Sequence, residues 1–77
     1  MSSNVIETEA LRQFVGANIR RLRKKADISQ VQLAKEIGIS EVHLNRIEVG
    51  KSTPSAEVLF AIADFFGVAT DSLRQAC

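Results

Sequence analysis

The sequence contains no tryptophan and no tyrosine, and only one cysteine, one proline and one histidine in 77 residues. Four phenylalanines are the only aromatics, so the core must be aliphatic, built from Leu, Ile, Val and Ala. Cys77 has no partner for an intramolecular disulfide, which fits a reducing, cytosolic compartment. His43 cannot form a His-based metal cluster alone, and no cysteine stands at zinc-ligand spacing from Cys77; neither metal nor cofactor is expected. The longest apolar run, Val58 to Ala63, falls far short of a membrane span. Met1 to Ala10 carries Glu7 and Glu9 without a basic segment ahead of an apolar one, so it does not read as a signal peptide. Ser40, His43 and Asp64 can be grouped on paper into a hydrolytic set, but nothing positions them. No catalytic residue is expected, and the chain is not read as an enzyme.

What is present describes one small domain. The apolar fraction of 45% argues against disorder. This length is near the lower limit for folding without disulfides or metal. Net charge is only +1, but it is unevenly distributed. Residues 1–51 hold nine Lys/Arg against six Asp/Glu, and residues 52–77 hold one against three. A net +3 part is thus joined to a −2 part, a layout that suits one anion-facing surface and one partner-facing surface.

Along the chain, residues 1–8 show no periodicity and are expected to form a mobile arm, with the folded domain spanning residues 9–77. Thr8 can cap a first helix in which Leu11, Phe14, Val15, Ile19, Leu22 and Ala26 recur at three- and four-residue steps. Ser29 opens a second helix, and Gln32 completes a capping-box pattern. Leu33, Ala34 and Ile37 form its inner face, and Gly38 stops it. Ser40 caps a third helix that buries Leu44 and Ile47 and ends at Gly50. After a loop around Pro54, Ser55 caps a fourth helix with Leu59, Ile62, Ala63 and Phe66 inward and Gly67 at its end. A short fifth helix from Ala69 or Thr70 to Gln75 carries Leu73. No alternation long enough for a strand occurs. The expected fold is all-α, with five short helices.

The most informative stretch is Gln30 to Glu48, QVQLAKEIGISEVHLNRIE. Two helices crossing over a tight turn need a small residue where backbones approach, a residue that tolerates positive φ, and bulky aliphatics to lock the pair. Ala34, Gly38, and Leu33, Ile37, Leu44 and Ile47 meet these needs. Projected at about 100° per residue, the third helix turns Val42, Asn45, Arg46 and Val49 away from Leu44 and Ile47, with Glu41 at its N-terminal edge. In a major groove, an arginine grips guanine, a valine touches a thymine methyl, and a glutamate accepts from a cytosine amino group. The alternative is that the valines are ordinary exposed apolar residues.

From about Ile19 to Leu73, the stretches IRRLRKKADISQVQLAKEIGISEVHLNRIEVGKSTP and LFAIADFFGV resemble the Cro/phage-repressor helix-turn-helix family. In size the chain is similar to restriction–modification controller proteins and small prophage repressors. The resemblance implies a lambda-repressor-like domain that regulates transcription in the cytoplasm, at the nucleoid, as a homodimer on a palindromic double-stranded DNA operator. It implies base contacts from Glu41, Val42, Asn45 and Arg46, and backbone contacts from Gln30, Ser40, His43, Lys51 and Ser52. It also implies a structural pair between Arg23 and Glu48. Val49 and His43 depart from the usual pattern.

Two surfaces keep alternative readings. Arg20, Arg21, Arg23, Lys24 and Lys25 wrap around most of the first helix, which favours a solvated face over a nucleic-acid strip. Phe60 and Phe65 lie outside the fourth helix's inner stripe and, with Val68 and Leu73, are expected at a dimer interface; the alternative is that both phenylalanines fold back into the core. A second functional reading is the antitoxin of a toxin–antitoxin pair, with a toxin as partner and its own promoter as target. No membrane partner is expected.

Overall fold

The computed structural model describes residues 3–75, and side-chain surroundings from residue 9 onward. Its elements are α1 (Ser3–Lys25), α2 (Gln30–Ile37), α3 (Glu41–Glu48), α4 (Ala56–Phe66) and α5 (Thr70–Leu73). Among the described residues there is no strand, so the architecture is all-helical. No described helix is long and apolar enough to cross a membrane, and no described acidic, His or Cys residues cluster as a metal site. Cys77 lies outside the described residues.

Serine hydroxyls start the three middle helices. Ser29, Ser40 and Ser55 accept from the backbone N–H of Gln32, His43 and Val58 at 3.1, 3.0 and 3.2 Å. At Ser29 the box closes in both directions, because Gln32 Oε1 accepts from the Ser29 N–H at 3.1 Å. Gly38 ends α2 at φ 85°, where an added Cβ would meet nothing within 4 Å. The turn therefore needs glycine for its backbone angle and not for space.

The first helix differs from expectation in its start and in the placing of Ala26. It runs from Ser3, so residues 3–8 are helical and Thr8 lies inside the helix instead of capping it. The segment SNVIET contains neither Pro nor Gly, and lengthening an existing helix needs no new nucleus. At the other end α1 stops at Lys25, Asp27 turns the chain at φ 61°, and Ala26, expected inward, is exposed.

One aliphatic cluster joins all five helices: Val15 and Ile19 from α1, Leu33 and Ala34 from α2, Leu44 and Ile47 from α3, Ile62 and Ala63 from α4, and Leu73 from α5. Each fully buried Leu or Ile contributes about 1.5–3 kcal/mol. Leu73 is completely enclosed by its own chain, which corrects its expected place in a dimer interface. A four-residue helix has one apolar side chain to anchor it, and that anchor goes inward.

Two polar or small residues hold α1 in place. Gly16 lies where α1 passes the end of α3: a Cβ there would sit 2.3 Å from the Ile47 carbonyl oxygen and 2.7 Å from that of Glu48. Asn18 is 2% exposed, and its Nδ2 donates to the carbonyls of Leu73 and Gln75 at 2.9 and 2.8 Å. It thereby satisfies carbonyls at the end of α5 that the short helix leaves without intrahelical donors.

Candidate nucleic-acid interface

The pair α2–α3 rests on Leu33, Ala34, Leu44 and Ile47, all buried beneath it. This packing fixes which side of α3 faces out. Glu41, Val42, Asn45 and Arg46 are exposed together on that helix, and Val42 reaches 70% exposure. Val49, just past the helix, is 50% exposed and extends the same apolar edge. His43 is half-buried on the flank. Ser40 is exposed, with its hydroxyl engaged as the cap.

Cations flank this face. Among the described residues, ion pairs join only Arg23 to Glu48 and Arg74 to Asp71, leaving the Arg46 and Lys51 head groups without an acidic partner. The loop carrying Lys51 is tied to α3, because the N–H groups of Lys51 and Ser52 both donate to the Arg46 carbonyl, at 2.8 and 3.2 Å. Lys51 is exposed and Ser52 half-buried. An exposed ammonium on a loop tied to the helix end is a ready contact for phosphate.

Behind the face, the structure brings Arg23 and Glu48 together. Arg23 Nε and Nη2 donate to the two carboxylate oxygens at 2.7 and 3.0 Å, a bidentate pair with side chains 11% and 1% exposed. Arg23 Nη1 also donates to the Ile28 carbonyl at 3.0 Å, fastening the turn between α1 and α2. Glu48 therefore sits in the core with its charge compensated, which is the condition for burying a carboxylate. Gln30, expected only at the DNA backbone, reaches inward as well: its Nε2 donates to Glu48 Oε1 at 2.9 Å.

On α4 and just beyond it, Phe60 is 61% and Phe65 42% exposed, while Val68 is partly buried against the core. Phe60 and Val68 border an open groove with Glu57, Ala61 and Thr70. Phe65 packs edge-on against Phe66, ring centres 5.1 Å apart. Leu73 does not join them.

Sequence reasoning missed Gly16, Asn18 and Arg12, whose Nε donates to the Gly50 carbonyl at 3.3 Å. Two of these carried a signal. A glycine inside a helix costs about 1 kcal/mol against alanine and so implies a packing reason. Asn18 falls between Val15 and Ile19 on the buried stripe, where a lone amide requires partners.

Two short capped helices around a glycine turn, the second showing a charged and amide-bearing face braced from behind, define a helix-turn-helix DNA-binding protein. Residues 19–73 match the helix-turn-helix family, and the chain belongs to that family, in its Cro/C1 type. It is 31% identical over 58 residues to the uncharacterized HTH-type transcriptional regulator y4dJ of Sinorhizobium fredii, covering 75% of each chain. It is 40% identical over 55 residues to the antitoxin PezA of Streptococcus pneumoniae, covering 71% of this chain and 35% of PezA. The chain thus spans about a third of PezA's length. In fold it is similar to the crystal structure of the restriction–modification controller protein C.AhdI from Aeromonas hydrophila, with a TM-score of 0.75, 22% identity, and coverage of 80% of this chain and 94% of that one. The family is one of DNA-binding transcriptional regulators.

Proposed function

We propose that this protein binds a palindromic operator in double-stranded DNA as a homodimer, with α3 in the major groove, and regulates transcription from it. The observation that carries this reading is the outward face of α3, where Glu41, Val42, Asn45 and Arg46 are exposed side by side and Arg46 has no acidic partner among the described residues. Arg46 is assigned to guanine O6 and N7, Val42 to a thymine methyl, and Glu41 to a cytosine amino group. Lys51, Ser52, Ser40, His43 and the N-terminal end of α2 at Gln30 hold the sugar–phosphate backbone, which sets register without reading sequence.

A single copy reads few base pairs, so two recognition helices one DNA turn apart, about 34 Å, supply the affinity. The surface for pairing is the Phe60, Phe65 and Val68 side of the domain, whose exposed phenylalanines cost less when covered by a second copy. The reading includes a cytoplasmic location, where such an operator lies, and no catalytic role.

The identity with PezA favours one second reading, an antitoxin that binds its own promoter and a toxin partner. Selection of bound duplex DNA from a random pool tests the main reading. An inverted repeat with half-site centres one helical turn apart is expected; a single asymmetric site, or no enrichment, overturns the dimeric operator. Stable recovery of a co-expressed neighbouring toxin would instead support the antitoxin.

A further inference from the structure

The buried ion pair does not end at Glu48. Arg23 can only donate, and the Glu48 carboxylate can only accept, so whatever bonds to the carboxylate from outside must offer an N–H. Gln30 does: its Nε2 donates to Glu48 Oε1 at 2.9 Å, the same oxygen that accepts Arg23 Nη2 at 3.0 Å. The amide of Gln30 is thereby set with nitrogen inward and Oε1 outward. That oxygen accepts from Asn45 Nδ2 on the exposed face of α3, at 3.5 Å. Donor and acceptor alternate along Arg23, Glu48, Gln30 and Asn45, and each link dictates the orientation of the next.

We infer that Gln30 is a positioning residue for sequence readout: through it, the buried Arg23–Glu48 pair fixes the amide of Asn45 in the orientation that reads adenine. With one Nδ2 hydrogen held by Gln30, Asn45 keeps a second N–H and its Oδ1 for the groove. Those two groups match adenine N7 and N6, the pairing by which asparagine selects that base. The inference rests on the proposed base-reading role of Asn45.

Gln30→Met keeps the length of the side chain, removes both amide groups, and leaves Arg23 bonded to both oxygens of Glu48. The test selects DNA from a random pool with the parent protein, Gln30→Met, Asn45→Ala and the double variant, after thermal melts establish that each is folded. Asn45→Ala should reduce adenine preference at one position per half-site by about tenfold. Gln30→Met should reduce it at the same position by about threefold, the size of a modest coupling between neighbouring side chains. In the double variant, Gln30→Met should add nothing at that position. If Gln30→Met weakens binding equally for all bases while Asn45→Ala still abolishes the adenine preference, Gln30 is only a backbone contact and the inference is wrong. If Asn45→Ala leaves every preference intact, the base-reading assignment itself fails, and the relay with it.

Discussion

Replacing Gly16 by alanine sets two opposing effects against each other, and the structure decides between them. By helix propensity alone, Gly→Ala inside a helix stabilises by about 1 kcal/mol. At this site the new Cβ would stand 2.3 Å from one backbone oxygen and 2.7 Å from the next. Ordinary contact begins at 3.4 Å, so α1 and the end of α3 must separate by about 1 Å. Neither obstacle is a side chain that can rotate away; both are carbonyls of Ile47 and Glu48. Overpacking of this kind costs about 1–3 kcal/mol, and the displaced backbone also carries Glu48 away from Arg23, which it now meets at 2.7 Å. Gly16→Ala should therefore be destabilising by about 1 kcal/mol net, lowering Tm by roughly 6 °C in a domain of this size. Ala17→Gly is the control, because Ala17 is exposed on the same helix. It should lose about 1 kcal/mol through propensity alone. Urea unfolding followed by circular dichroism measures both variants, with midpoints compared at unchanged slope. A Gly16→Ala protein as stable as the parent, or more stable, would refute the close approach of the two helices.

Three further outcomes follow from the same contacts. Glu48→Ala should cost about 3 kcal/mol by leaving the largely buried Arg23 guanidinium without its counter-charge, whereas Glu41→Ala on the exposed face should shift the midpoint by less than about 0.5 kcal/mol. Equal, small shifts in the two would mean that Glu48 behaves as a surface carboxylate. Arg46→Ala should weaken operator binding by about 1–3 kcal/mol and unrelated DNA much less, while Lys51→Ala should weaken both alike and flatten the salt dependence by about one unit; identical ratios would remove Arg46 from base readout. Phe60→Lys should convert a sedimenting dimer to monomer at tens of micromolar with the melting curve nearly unchanged, since Phe60 is 61% exposed; an unaltered dimer would place the interface elsewhere.

The parts of this fold that were legible in the sequence are those whose cause is local. Ser29, Ser40 and Ser55 each bond to a backbone N–H three residues ahead, so a short window contains both partners. The inner residues of α2 and α3 follow from helical spacing, and the outward face of α3 follows from them by elimination. Gly16 and Asn18 could not be placed in the same way, because their partners lie at Ile47, Glu48, Leu73 and Gln75. Leu73 falls to the interface in the sequence only by its place in the C-terminal third, because so short a helix gives no periodicity from which to read a face. Gln30 was read as a backbone contact from its place at the start of α2. Its bond to Glu48 depends on where α3 ends in space, which no local pattern states.

The bonds made by Asn18 have a consequence for the order in which the molecule assembles. They span 55 and 57 residues, so they cannot form until nearly all of the described chain has been gathered. The turn between α2 and α3 closes over only a few residues and can settle early, since short loops close at small entropic cost. The helix α5, four residues long and without a side-chain cap, has little stability of its own. It docks by inserting Leu73 and handing its terminal carbonyls to Asn18, and both losses coincide when it leaves. Hydrogen exchange at Leu73 and Arg74 should then report a sub-global opening well below the free energy that protects Leu44 and Ile47. The short helix α5 acts as a latch on the first helix, closing late and opening first.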